Sequence, residues 1–219
     1  MKFCKCRLMI LAGLSPALFE IGTFFKASAT AIGLTLNHFN KGVSKVKAVP
    51  YDIEYELRLG NYSEIEEWIL EGEVDCGFIR LPSQSQLDTL YLEPDPLLAV
   101  LPKGHPMAGC QKFPITAFCQ EPFILLERAN NTEIADIFSQ YSLKPQTRIT
   151  TWDDYAIMSM VENGLGISML HQLILKRTPY HIVTKELDVP ASRNICFAVR
   201  NRKTASLAVR RFLEYLEYR

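Results

Sequence analysis

Thr150–Leu170, TTWDDYAIMSMVENGLGISML, is the stretch of sequence that decides the fold class of this chain. Apolar residues recur at helical spacing after Asp153, which with Asp154 is a candidate helix cap. Gly164 suits the left-handed position that follows a helix. The short apolar run Ile167–Leu170 then predicts a buried strand, so the stretch indicates a helix, a glycine and a strand in that order.

A second stretch, EGEVDCGFIR at Glu71–Arg80, has the same order. The apolar residues of Ile65–Leu70 predict a helix that Gly72 ends, and Val74–Ile79 is typical of a buried strand. Two such units in separate parts of one chain predict an α/β protein with two lobes. In folds of this class a ligand usually lies at the carboxyl ends of the strands.

Composition narrows the class of protein. The 219 residues are 48% hydrophobic and 22% charged, and 24 basic residues balance 24 acidic ones. A neutral chain argues against nucleic acid as a direct partner, because phosphate binding usually needs a basic face. The six cysteines form no C-x-x-C pair and favour a reducing cytosol, with Cys76 and Cys196 packed as small apolar residues. No apolar stretch reaches the roughly 20 residues of a membrane span.

Catalytic motifs are missing from the sequence. There is no G-x-S-x-G, no P-loop and no H-E-x-x-H. His105 lies in KGHP, which is typical of a turn, and a helix cap explains Asp153-Asp154 better than a pair of catalytic acids. The sequence therefore predicts neither an enzyme nor a cofactor or metal site.

The ordered set of segments resembles the effector-binding domain of LysR-type transcriptional regulators, whose fold is shared with type II periplasmic solute-binding proteins. Three further segments carry the resemblance: LLAVLPKGHPMA at Leu97–Ala108, EPFILLE at Glu121–Glu127, and the run Ala205–Tyr215, which ends RRFLEY. The resemblance extends from about Ile53 to the end of the chain. One departure is His171, which stands where the family usually has proline.

The resemblance implies an α/β fold of two Rossmann-like lobes joined by a two-strand hinge, like that of type II periplasmic-binding proteins. We expect lobe I to hold residues 16–94 plus 195–219 and lobe II to hold residues 95–194, after a disordered or linker-like N-terminus over residues 1–15. Short strands are predicted at Leu90–Leu92 and Leu97–Leu101, around two prolines. The chain would cross between the lobes near Pro94–Pro96 and near Ser192–Ile195.

A ligand cleft between the lobes would be lined by residues that follow strands. With a first strand predicted at Phe19–Phe25, the expected effector-binding residues are Thr23, Ser28, Glu127, Arg128, Asn130, Thr150 and Trp152. Arg128 is suited to pair with a carboxylate or a phosphate, and Trp152 is either a core residue or an aromatic wall of the cleft. Uncharged, carboxylated and aromatic effectors all remain open.

The function that the resemblance implies is sensing of a small-molecule effector, with control of oligomer geometry and of transcription. The expected partners are the effector, a second copy in a homodimer through lobe I, and DNA only through a winged-helix domain, for which we expect no room before Phe19. The expected location is the cytoplasm, without membrane contact. The alternative is an exported solute-binding protein, because basic Met1–Arg7 and apolar Leu8–Leu14 resemble a weak signal peptide.

Overall fold

The computed structural model describes residues 4–11, 53–83, 86–127, 133–176 and 178–217. These ranges contain nine strands and five α-helices. The strands are β1 (Cys4–Leu11), β2 (Ile53–Gly60), β3 (Cys76–Leu81), β4 (Asp88–Pro102), β5 (Phe123–Leu126), β6 (Thr147–Thr151), β7 (Ile167–His171), β8 (Ile182–Glu186) and β9 (Ser192–Val199). The helices are α1 (Tyr62–Glu71), α2 (Glu133–Gln140), α3 (Asp154–Glu162), α4 (Gln172–Leu175) and α5 (Leu207–Glu217).

The chain forms two compact units. The first unit comprises Met1–Glu93 and Ile195–Arg219, and the second comprises Pro94–Asn194. Strand β4 carries the chain from the first unit into the second, and β9 carries it back. Among the described helices, none combines the length and the apolar character that crossing a membrane would require.

The first unit is built on the strand order β2–β1–β3–β9, followed by β4. Strand β1 runs parallel to β2 from Cys4↔Ile53 to Leu11↔Gly60 and also pairs with β3. The prediction of a disordered or linker-like start was therefore wrong for residues 4–11. Their apolar run, interpreted as a weak signal peptide, suits a strand that has a neighbour on each side. The predicted strand at Phe19–Phe25 lies outside the described residues.

Helix α1 begins at a capping box and ends at a glycine. The Asn61 side chain accepts a hydrogen bond from the Glu64 N–H at 2.9 Å, and the Glu64 carboxylate accepts one from the Asn61 N–H at 2.7 Å. Gly72 has φ 78° and closes the helix in the left-handed conformation. One face of the helix then buries Ile65 and Ile69 against the first-unit core.

The second unit has the strand order β8–β4–β7–β5–β6. Strand β4 runs antiparallel to β7 and β8, whereas β5 runs parallel to both β6 and β7. Strand β4 is continuous from Asp88 to Pro102, so the prediction of two separate short strands was wrong. Pairing with β7 and β8 from Leu97 to Pro102 gives this long strand partners on both sides beyond its prolines.

Aromatic side chains form the centre of the second-unit core. Phe118 lies between Phe113, Phe123 and Phe138, with ring centroids 5.0 to 5.9 Å apart. All four side chains are buried, and two of the three contacts are edge-to-face. This core supports the strands whose ends form the candidate site.

The GLGI segment uses its two glycines for different reasons. Gly164 has φ 72°, a conformation that favours glycine at the end of a helix. Gly166 lies directly against the backbone of Pro122, whose carbonyl a Cβ atom would meet. That carbonyl accepts a hydrogen bond from the Ile167 N–H at 2.9 Å, so the close approach sets the start of β7.

Candidate functional site

The carboxyl ends of β5, β6 and β7 lie at one edge of the second-unit sheet. Leu126, the last residue of β5, pairs with Thr151, the last of β6, and the parallel pairing of Ile124 with Ser168 aligns β7. Because parallel strands point the same way, the residues that follow them meet at this edge. We call it the carboxyl edge, defined by Glu127, Thr151, Trp152 and His171.

Three of the predicted effector-binding residues lie at this edge. Glu127 is exposed, and its backbone N–H donates to the Thr151 carbonyl at 2.9 Å. Thr150 is exposed but lies within β6 rather than after it. Trp152 follows the strand with its side chain 80% exposed, which excludes the core interpretation. The structure thus brings Glu127, Thr150 and Trp152 together at the ends of neighbouring strands.

The other four predicted residues, Thr23, Ser28, Arg128 and Asn130, lie outside the described residues. Thr23 was chosen because it was expected to lie at a strand end in Phe19–Phe25. The strand predicted at Phe19–Phe25 is outside the described residues too, so Thr23 and Ser28 stay predictions, as do Asn130 and Arg128, which stands two residues after the end of β5.

Two adjacent acids at the edge have different roles. The Asp153 carboxylate accepts from the N–H groups of Tyr155 and Ala156 at 2.8 and 3.3 Å and caps α3. Asp154 is the first residue of that helix and is fully buried. The helix-cap interpretation is confirmed, since Asp153 is used to satisfy the free backbone donors of α3.

At the His171 end of the carboxyl edge lies a largely buried cluster of charged and polar side chains that sequence reasoning did not find. Arg193 donates from Nε and Nη2 to Asp95 Oδ2 at 2.9 and 2.6 Å. The other Asp95 oxygen accepts from the Leu173 N–H at 2.9 Å. His171 Nε2 lies 2.9 Å from Glu133 Oε2, and its Nδ1 lies 3.2 Å from the Asp95 carbonyl oxygen. Asp95, Arg193, His171 and Glu133 are named the buried cluster below.

Burial lowers the pKa of His171, and the positive charge of Arg193 lowers it further. The hydrogen bond to Glu133 and the negative charges of Asp95 and Glu133 oppose both effects. The net direction is downward, because the ring would have to carry its charge away from water. The neutral imidazole is therefore favoured at neutral pH.

The sequence gives only one signal for the buried cluster. His171 stands where the resembled family usually has proline. This departure shows that the position is unusual, but it does not predict which residues His171 contacts. The partners of the cluster come from β4, β9 and α2. Asp95 and Arg193 lie 98 residues apart, and no local spacing rule joins residues at that distance.

A pocket of about 310 Å³ lies in the same unit, lined by Pro96–Leu98, Lys112 and Glu186–Ala191. Leu97 pairs with His171 and Leu98 pairs with Glu186, so the pocket lies on the β8 side of β4. The predicted residues lie beyond β7, on β5 and β6. The pocket therefore contains none of the described effector-binding candidates.

The described part of the chain contains no cluster of metal ligands, and two of its cysteines are fully buried. No group of three or more His, Cys, Asp or Glu side chains there is arranged to hold a metal ion. Cys76 and Cys196 are buried, as predicted, and burial raises the pKa of the Cys196 thiol to about 12.

Comparison with known proteins places the chain in a family. A family model described as the LysR substrate binding domain matches residues 43–219. This chain belongs to that family. The HTH-type transcriptional regulator YvbU of Bacillus subtilis is 28% identical over 92% of this chain and 67% of its own length. The HTH-type transcriptional regulator YeiE of Escherichia coli is 30% identical over 74% of this chain and 57% of its own length.

Solved structures show the same fold. The regulatory domain of CcmR from Synechocystis PCC6803, in complex with 2-PG, has a TM-score of 0.73 at 24% identity and covers 98% of this chain and 96% of its own. The effector-binding domain of QuiR, in complex with shikimate, has a TM-score of 0.71 at 16% identity and covers 99% and 97%. The predicted α/β fold of the type II periplasmic-binding-protein kind is confirmed.

The LysR substrate-binding domain is part of a longer protein in the relatives. This chain spans 67%, 56% and 44% of the length of YvbU, of CmpR from Synechocystis and of CysL from Bacillus subtilis. All three are transcriptional regulators, so the comparisons favour a regulator over the alternative of an exported solute-binding protein.

Proposed function

We propose that this LysR substrate-binding domain senses a small organic effector at the carboxyl edge of its second unit. The observation that carries the proposal is the side chain of Trp152, an indole left 80% exposed at the end of a parallel strand. A large exposed aromatic side chain is available to pack on a ligand. Glu127 and Thr150 are exposed beside it and offer oxygen atoms that accept hydrogen bonds.

The effector is proposed to be a metabolite with an anionic group and an apolar face. Arg128 would pair with the anionic group, since guanidinium binds carboxylate and phosphate in bidentate fashion. Trp152 would pack on the apolar face. The domains of CcmR and QuiR, which are in complex with 2-PG and shikimate, give two first compounds to test.

Regulation would come from a difference in effector affinity between two states of the domain. We propose a homodimer through the first unit, where α1 leaves Leu70 exposed and β2 is the terminal strand of the described sheet. Contact with DNA would come through the helix-turn-helix part of the regulator. The neutral charge balance of this chain supports that division of roles.

A thermal-shift screen tests the proposed function. The chain is melted with 2-PG, with shikimate, and with a panel of small carboxylates and phosphates beside their uncharged analogues. A specific effector at a hundredfold excess over its dissociation constant stabilises the folded chain by about 2.7 kcal/mol. Stabilisation by an anionic compound and not by its uncharged analogue supports the proposal, whereas equal stabilisation by both contradicts the anionic class.

A further inference from the structure

The buried cluster joins four separate elements of the second unit. Asp95 comes from β4, Arg193 from β9, His171 from the end of β7, and Glu133 is the first residue of α2. Asp95 lies two residues after Glu93, and Arg193 lies two residues before Ile195, which are the points where the chain passes between its units. The cluster therefore contacts both connecting strands.

We propose that His171 is a positioning residue that holds the start of α2 to the two connecting strands, and that proton uptake by His171 strengthens this connection. The inference rests on the proposed function, because α2 begins beside the carboxyl edge where the effector would bind. A shift of α2 on effector binding would then reach β4 and β9 through the imidazole of His171.

The geometry of the ring supports the proposal. Both nitrogens of His171 face oxygen atoms, Glu133 Oε2 at 2.9 Å and the Asp95 carbonyl at 3.2 Å. A neutral imidazole has one N–H and serves one of these acceptors, whereas the protonated ring serves both. Uptake of one proton thus adds the hydrogen bond that links Glu133 to β4 through the ring.

The charged groups around the ring set the pH at which His171 takes up its proton. Arg193 from β9 opposes the charged ring, while Asp95 from β4 and Glu133 from α2 favour it. Asp95 Oδ2 lies 3.8 Å from His171 Nδ1 and 2.6 Å from Arg193 Nη2, so a protonated His171 would share the charge of Asp95 with Arg193. Desolvation outweighs the attraction and shifts proton uptake to the acidic side of the ordinary histidine range.

Two other histidine–glutamate pairs in the same unit provide a comparison. His105 Nε2 lies 2.7 Å from Glu121 Oε2, and its Nδ1 accepts from the Met107 N–H. His181 Nδ1 lies 3.0 Å from Glu162 Oε1, with the His181 side chain 82% exposed. His171 is as buried as His105, and it differs from both because its second nitrogen faces a carbonyl oxygen of a connecting strand.

Hydrogen–deuterium exchange of the whole chain without effector tests the proposal. The amides of Ile137 and Phe138 are read in α2, because their helical acceptors are the carbonyls of Glu133 and Ile134. The amides of Met158 and Val161 in α3 serve as the internal reference. Wild type is compared with His171→Ala and His171→Gln, and His181→Ala is the control for an exposed pair.

The expected result has two parts. His171→Ala speeds exchange in α2 about tenfold relative to α3, the factor for losing a hydrogen bond to a charged group, and His181→Ala does not. In wild type the relative protection of α2 rises as the pH falls from 8 to 5, after correction for intrinsic rates. His171→Gln retains a donor for Glu133 but cannot titrate, so its profile is flat.

Equal exchange in wild type and His171→Ala overturns the proposal, and so does a His171→Gln protein that keeps the wild-type pH profile. If His171→Ala fails to fold, the profile of His171→Gln decides alone. No effector enters this measurement, so its outcome is independent of the thermal screen that tests the proposed function.

Discussion

Arg193 donates two hydrogen bonds to a single carboxylate oxygen of Asp95, from Nε at 2.9 Å and from Nη2 at 2.6 Å, across 98 residues of sequence. The Asp95 side chain is fully buried and that of Arg193 is 5% exposed. The pair ties β4 to β9, the two strands through which the chain passes between its units. Removing one partner would leave the other charge buried without this ion pair.

The first prediction concerns that pair. Asp95→Asn keeps the size of the side chain but removes its charge, so we expect the free energy of unfolding to fall by about 3–5 kcal/mol. Urea denaturation followed by circular dichroism measures the change. The matched control is Glu73→Gln, which breaks the exposed Arg58–Glu73 pair at 2.7 Å and should cost less than about 1 kcal/mol. Losses of similar size in the two variants would contradict the prediction that the buried Asp95–Arg193 pair stabilises the fold more than an exposed pair does.

The second prediction concerns pH. Because burial lowers the folded-state pKa of His171, the unfolded chain takes up this proton first as the pH falls. The stabilisation is complete above the unfolded pKa of about 6.5 and is lost as the pH falls from there towards the lower folded pKa. Wild type should therefore lose more unfolding free energy than His171→Gln on this descent, because the cost of a charged ring away from water exceeds the gain from the hydrogen bond that the proton adds between Glu133 and β4. Denaturant titrations between pH 8 and pH 5 measure the unfolding free energy of both proteins.

The exposed His181 supplies the control for the pH prediction, since its side chain is 82% exposed. His181→Gln leaves the buried ring of His171 in place, so the steeper loss of stability that we assign to His171 should persist in this variant. A His171→Gln protein whose stability falls with pH as steeply as wild type would show that His171 does not titrate as assigned.

The third prediction concerns the start of β7. In Gly166→Ala the added methyl group meets the Pro122 carbonyl, so we expect a loss of about 1–3 kcal/mol of unfolding free energy. Gly109→Ala has no heavy atom within 4 Å of the new methyl group and is the matched control, with little change expected. Equal melting temperatures for the two variants would mean that β7 can move away from Pro122.

The fourth prediction concerns the proposed homodimer. Leu70 on α1 is 37% exposed, and Leu70→Glu should weaken a dimer that uses this face, because a carboxylate would be buried there without a partner. Leu207→Glu, at a position 60% exposed on α5, is the control. Sedimentation velocity over a range of concentrations would show a lower dimer fraction for Leu70→Glu alone. An unchanged dimer fraction would show that the dimer does not use this face of α1.

The parts of the fold that the sequence predicts well are the ones with local signals. The apolar spacing after Asp153, the cap itself and the positive φ of Gly164 all lie within one helix and its ends. The same is true of α1, which ends at Gly72. Local propensity and side-chain periodicity suffice for such elements, because their stabilising contacts lie a few residues apart.

Sequence reasoning failed where partners are remote. The strand β1 needs β2 and β3 on its two sides, and its short apolar run alone is equally typical of a weak signal peptide. The prolines around Asp95 suggested an interruption in β4 because the strands that pair beyond them are far along the chain. The buried cluster was missed for the same reason, since its members come from four elements.

The proposed effector site can be tested most directly at Trp152. Isothermal titration calorimetry would compare wild type, Trp152→Ala and Leu165→Ala with the compound that stabilises the chain in the thermal screen, starting with shikimate and 2-PG. Leu165 is a matched control because it is an apolar residue of the same unit and is 53% exposed, just beyond the opposite end of α3. Both substitutions should change the unfolding free energy by no more than about 0.5 kcal/mol. We expect binding to be weakened at least about tenfold in Trp152→Ala, in keeping with the loss of an aromatic contact, and to be unchanged in Leu165→Ala. Wild-type affinity in Trp152→Ala would contradict an effector site at the carboxyl edge.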